Sequence, residues 1–213
     1  MKRTNHSLPN TPLCARELLK QIVFHEAGHV AAIYIRNQQQ KLPPVYFQII
    51  INKKQQKHHA YFAQVLGGRL IDNLPVAEIE NNYLGSDAER LSLQKAYEAD
   101  VINLLTGPLT EAKYVAQRDG EIFNAHLVNI IALKNYGGHS DIEQAYRYLE
   151  YFIPDAAERE LKIAELFTKA FRFIDKPNNW KCIQTFANYL LENEQVNISC
   201  EQASEILQPF LMD

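Results

Sequence analysis

Two rhythms of hydrophobic and polar residues organise this chain. Between residues 16 and 35, Leu18, Leu19, Ile22, Val23, Val30 and Ile33 recur at helical spacing without a proline, which predicts a first helix. A polar exit, Asn37-Gln38-Gln39-Gln40-Lys41, leads to Pro43-Pro44. The β-branched and aromatic run Val45-Tyr46-Phe47-Gln48-Ile49-Ile50-Ile51 then reads as a strand. A second strand is expected over 59–66, ending at Gly67-Gly68, and the polar segment between the two predicts a hairpin. Residues 70–85, with Pro75 and Gly85, read as irregular. Ser86-Asp87-Ala88-Glu89 carries a capping-box signature and opens a helix toward Gln117, with a break or kink expected at Thr106-Gly107-Pro108. Asp119-Gly120 marks a turn, and 121–133 reads as helix again.

Ser140 and Glu143 form a second capping-box signature, which sets Asp141 in the first turn of a further helix, where the local field favours an ionised carboxylate. Pro154-Asp155 opens an amphipathic segment to 174, residues 176–179 read as a linker, and 180–192 as a helix. Ser199-Cys200-Glu201-Gln202 caps a last short helix to about 211. The tail aromatics Phe167, Phe171, Phe173, Trp180, Phe186 and Tyr189 stand at helical spacings and read as core. The expected fold is mainly α, a helical domain with a small β-hairpin or sheet. An N-terminal tail (1–13) precedes a domain over 14–153, and a C-terminal helical extension (154–213) packs on it.

Composition narrows the class. The 213 residues suffice to bury a real core, and 46% hydrophobic with 22% charged is ordinary for a soluble globular chain. No apolar run approaches the roughly 20 residues of a membrane helix, and Pro9 and Pro12 fall where a signal peptide would have its apolar core. A cytoplasmic location is therefore expected. Cys14, Cys182 and Cys200 are odd in number, widely spaced and free of any Cys-x-x-Cys pair, so neither a disulfide framework nor a cysteine metal site is expected. Residues 1–60 hold nine Lys/Arg against two Glu, but Lys53, Lys54 and Lys57 sit with Gln55 and Gln56 in what reads as a solvated loop; no nucleic-acid partner is expected.

The chemistry lies in Phe24-His25-Glu26-Ala27-Gly28-His29-Val30. On a helix His25 and His29 are one turn apart and project from one face, so both imidazoles can reach a single ion at about 2.0–2.1 Å. Glu26 points about 100° round the helix from His25, beside such an ion, where it can take a proton from activated water. This is the HExxH arrangement of zinc hydrolases. Gly28 is a poor helix former and marks a close approach to the backbone, by a substrate strand or a packed helix. Two histidines need a third protein ligand and an open position. Glu111, on a helix, and Asp141, at a loop-to-helix junction after two glycines, are the main candidates, with His139 a weaker one. His58 and His59 sit in a polar turn with no partner at ligand spacing and read as exposed.

Three blocks together resemble the peptidase domain of FtsH-type proteases: His25-Glu26-Ala27-Gly28-His29, Leu105-Thr106-Gly107-Pro108-Leu109-Thr110-Glu111-Ala112, and Gly137-Gly138-His139-Ser140-Asp141-Ile142-Glu143-Gln144-Ala145. The resemblance spans about residues 15–152 and implies that Asp141 is the third zinc ligand, with Glu111 supporting from an active-site helix. It further implies a zinc metalloendopeptidase in which Glu26 is the general base. Family members carry a membrane anchor and an ATPase module before the peptidase; no such module and no phosphate-binding Gly-x-x-x-x-Gly-Lys-Ser/Thr loop occurs in this sequence. The expected activity is thus ATP-independent cleavage of unfolded or flexible polypeptides. A homo-oligomer or a partner ATPase is the implied association, and the alternative is a catalytically silent module acting on a partner protease. His139 is expected in a supporting position or in solvent.

Overall fold

The computed structural model describes residues 15–52, 62–73, 87–193 and 197–211. Cys14, His58, His59, Ser86 and the tail 1–13 lie outside them. The first helix, α1 (Ala15–Ala31), runs on through a π turn (Ala32–Arg36) into a last turn, Asn37–Gln39. Every residue from Gln21 to Ala31 is buried, polar ones included. A helix buried all round must be enclosed by other elements. Lys41 N–H to the Gln38 carbonyl and Leu42 N–H to the Asn37 carbonyl (2.9 Å each) close the end, with Lys41 at φ 55°, where glycine is usual.

Strands β1 (Phe47–Asn52) and β2 (Phe62–Gly67) form the expected hairpin, with Ile49 opposite Val65. Phe47, Ile49 and Ile51 turn into the core and alternate with half-buried Gln48, Ile50 and Asn52, the period-2 pattern of a one-sided sheet. A third strand, β3 (Asn197–Ser199), pairs antiparallel with β1, so the order is β2-β1-β3. Nothing in the residue pattern announces it, because three residues are too few to show a period. A short 3-10 turn (Ile71–Asn73) follows β2 and is pinned by Asp100, whose buried carboxylate accepts from the Leu70 and Ile71 amides at 2.9 and 3.1 Å.

Helix α2 (Asp87–Arg118) passes through Thr106-Gly107-Pro108 without interruption, against the expected break. Proline forfeits one helical N–H, but Thr106 and Thr110 donate to the Ile102 and Thr106 carbonyls (2.7 and 2.8 Å), and Leu105 and Leu109 are fully buried. Packing on α1 outweighs the local defect. The crossing is close: a Cβ on Gly28 would lie 2.3 Å from Thr110 Oγ1 and 2.9 Å from the Thr106 carbonyl. The neighbour anticipated at Gly28 is therefore a packed helix.

Residues 121–133 do not form the expected helix. Asn124 Oδ1 accepts from the His126 amide (2.7 Å) and Asn129 Oδ1 from the Ala132 amide (2.9 Å), local bonds that compete with helical ones. A 3-10 turn (Ala132–Tyr136) ends at Gly137 in the left-handed region, φ 71°. Helix α3 (His139–Phe152) then starts with Gly138 as its N-cap. Ser140 is already inside, so the capping box assigned to it does not form, yet Asp141 does fall in the first turn. Helix α4 (Ala156–Asp175) is capped by Asp155, which accepts from the Glu158 amide at 2.8 Å. Helix α5 (Pro177–Glu192) begins at once with Pro177 in its first turn, so the linker expected over 176–179 shrinks to Lys176. Helix α6 (Cys200–Leu207) has the Ser199–Gln202 capping box, and a 3-10 turn (Gln208–Leu211) follows.

The molecule is mainly helical with one small sheet, and a single buried cluster joins all its parts. Helices α2 and α5 and strand β2 enclose α1. Phe167, Phe171, Phe173, Trp180 and Phe186 are buried in that cluster, as expected for core. Lys113 of α2 ties the α4–α5 corner: its Nζ donates to the Ile174 carbonyl (2.9 Å) and lies 4.9 Å from the Trp180 ring. Among the described residues no helix is long and apolar enough to cross a membrane.

Candidate metal centre

Helical spacing turns His25 and His29 to one side of α1, their ring centroids 4.8 Å apart. The first turn of α3 brings Asp141 between them. His25 Nε2 stands 3.2 Å from Asp141 Oδ2, and His29 Nε2 stands 3.5 Å from Oδ1. All three side chains are buried. Two ligands about 2.0–2.1 Å from one tetrahedrally held ion stand roughly 3.3 Å apart, which these separations match.

Hydrogen bonds fix the ring tautomers. His29 Nδ1 donates to the Asn103 carbonyl at 2.8 Å. His25 Nδ1 faces two acceptors, Glu111 Oε2 at 3.1 Å and the Tyr136 carbonyl at 3.2 Å. Both Nδ1 atoms therefore carry protons, and Nε2 of each ring is the atom turned toward the Asp141 carboxylate. His29 Nε2 is buried and, among the described residues, has no hydrogen-bond partner, since 3.5 Å from Asp141 is not one. Three acceptors converging in a dry site require a positive charge among them, either a proton or a cation. The group His25, His29 and Asp141 could thus hold a metal ion.

The same electrostatics appear in the titration of the ion-free site. Burial opposes charge on His25, but its bonds to Asp141 and Glu111 prevail and push its pKa up to about 10. Burial likewise opposes ionisation of Asp141, and the two histidines overcome it, holding the carboxyl well below its usual range. Burial lowers His29. Glu26 is buried on the neighbouring face, and burial raises its pKa to about 7. Its Oε2 accepts from the Val65 amide of β2 at 2.9 Å, while Oε1 has no partner among the described residues.

Glu111 meets His25 on Nδ1, the side away from the Asp141 contact, and so orients that ring. His139 is exposed, lining a groove with Ile130, Ile131 and Ile142 rather than joining the buried group. Sequence reasoning missed three supports: the Asn103 and Tyr136 carbonyls and the Val65 amide. Main-chain groups leave no mark on residue identity. Gly107, read from the sequence as part of a helix break, lies inside the helix instead and leaves room for a ligand ring: a Cβ there would collide with His29 Nε2.

No protein-family model matches the chain, and no curated protein matches it either.

Proposed function

We propose that the chain is a zinc metalloendopeptidase of FtsH-like type that hydrolyses unfolded or flexible polypeptides without ATP in the cytoplasm. The observation that carries this reading is the convergence of His25, His29 and Asp141 in one buried group, with Glu26 on the same helix. His25, His29 and Asp141 would hold the ion. When bound, zinc supplies a Lewis acid that acidifies water and polarises the scissile carbonyl. Glu26 takes the proton of the attacking water and passes it to the leaving amine; a pKa near 7 suits both transfers. Its unpartnered Oε1 is the atom available for that proton, while the Val65 amide steadies Oε2. Glu111 and the Asn103 carbonyl hold the imidazoles in the tautomer that presents Nε2. Among the described residues β2 is an edge strand, beside Glu26, which suits a substrate held in extended form.

A second reading, a catalytically silent module that acts on a partner protease, is favoured by one observation. Glu26, His25 and His29 are all 0% exposed, with Glu26 already bonded to β2. Proteolysis of an unfolded model protein by the zinc-loaded chain, beside Glu26→Gln, separates the two. Under the peptidase reading the wild type cleaves, and the variant retains zinc but loses roughly 10²–10⁴-fold in rate. Zinc binding by both proteins without cleavage by either selects the silent module.

A further inference from the structure

Away from the metal centre, a groove of about 330 Å³ lies between the end of α1 and the end of α4. Four cations line it, Arg36, Lys169, Arg172 and Lys176, beside the amides of Gln39 and Gln40. None of its described lining residues is acidic. Lys169 is already paired with Glu165 at 2.6 Å and approaches Glu98 at 3.7 Å. Arg36 is not so served: its Nη1 is buried and has no hydrogen-bond partner among the described residues. Burial pulls the Arg36 pKa down to about 10, offset only in part by the longer-range attraction of Glu98 and Asp100.

Cations often gather at helix C-termini simply to satisfy the last carbonyls. Here the Arg36, Asn37, Gln38, Phe173 and Ile174 carbonyls have other partners. Lys113 Nζ takes Ile174 at 2.9 Å and Asn179 Nδ2 takes Phe173 at 2.8 Å. The Gln40, Lys41 and Leu42 amides take Arg36, Gln38 and Asn37 at 2.9–3.0 Å. The groove therefore concentrates more positive charge than the helix ends require, in a chain whose net charge is −3. A compact anion with several acceptor oxygens complements two guanidinium groups and an ammonium, and the volume suits a small molecule.

We propose that this groove binds a phosphate group, carried by a small phosphorylated molecule or present as free phosphate, with Arg36 and Arg172 as its main partners. The site is separate from the metal centre, because Arg36 follows His29 by seven residues, about 10 Å along the helix. It does not depend on the peptidase reading.

Titration calorimetry of the full chain at low salt, with inorganic phosphate in one arm and glycerol 3-phosphate in the other, tests it. Saturable binding is expected, weakened at least tenfold by Arg172→Gln and by Arg36→Gln. Arg172 is exposed, so its variant keeps the test valid if the Arg36 variant fails to fold. Lys181→Gln, exposed and outside the groove, should leave affinity unchanged. Tighter binding of glycerol 3-phosphate assigns an organic phosphate, and equal affinity assigns the free ion. Absence of saturable heat in both arms overturns the proposal. So does equal affinity of wild type and Arg172→Gln, since phosphate would then sit elsewhere, the metal centre included.

Discussion

A histidine with its pKa near 10 is a protonated histidine at neutral pH, and that has two consequences at the scale of single residues. Metal uptake must displace the His25 proton, so about one proton should be released per zinc bound at pH 8, measurable with a pH indicator dye in weak buffer. In the ion-free chain the folded pKa of His25 is raised above its usual 6.5. Its contribution to stability is fully present below about 6.5 and is lost as pH rises through about 10. Ion-free protein should therefore melt lower at pH 10 than at pH 7, and zinc should shrink that difference. Thermal denaturation with and without chelator checks the sign; an ion-free chain that melts higher at pH 10 contradicts it. Glu111→Gln should keep the ring oriented less firmly and weaken zinc by about 10–100-fold in a chelator competition. Gly107→Ala should abolish zinc binding in the same assay, because the added methyl meets the His29 ring.

Among elements, α2 decides most. It supplies Glu111, the Asn103 carbonyl and Gly107 to the centre, Asp100 to the end of β2, and Lys113 to the α4–α5 corner. Lys113→Met would leave the Ile174 carbonyl without its donor in a buried setting. A loss of about 1–3 kcal/mol is expected from urea denaturation. Lys113 Nζ bonds Ile174 and Asp175 rather than a residue of the centre, so zinc affinity should change little. The Pro108 region shows how local preference yields: the sequence signals a break, but buried Leu105 and Leu109 on either side hold the helix against α1. At 121–133 the outcome is reversed. Ile122, Leu127 and Ile131 stay exposed, so no burial rewards a helix there and the asparagine turns prevail.

At the scale of the molecule, the sheet joins β1 from the first quarter of the chain to β3 from the last tenth. Residues after 193 return to add β3 beside β1 and bury Ile198, Ala203 and Leu207. Ending the chain at residue 193 should cost roughly 3–6 kcal/mol from Ile198 and Leu207 alone. It would also open the second edge of β1, inviting association between chains. A lowered melting temperature together with concentration-dependent light scattering is the expected outcome; an unchanged melting curve would contradict this account.

What the sequence determined by itself is what short-range spacing determines. His25, Glu26 and His29 are placed relative to one another by helical geometry alone, and the β-branched and aromatic run over 45–51 marks a strand. The capping chemistry of Ser199 and Gln202 is equally local. Only the tertiary structure decided what depends on distant residues meeting. Asp141 reaches both Nε2 atoms from 112 or more residues away, and Glu111 meets Nδ1 of His25 instead. The main-chain groups of Val65, Asn103 and Tyr136 complete the centre, yet any residue can offer an amide or a carbonyl, so their identity carries no signal. Spacing is a property of the chain. Convergence is a property of the packed core, where burial and hydrogen-bond demand select one arrangement among those the local code permits.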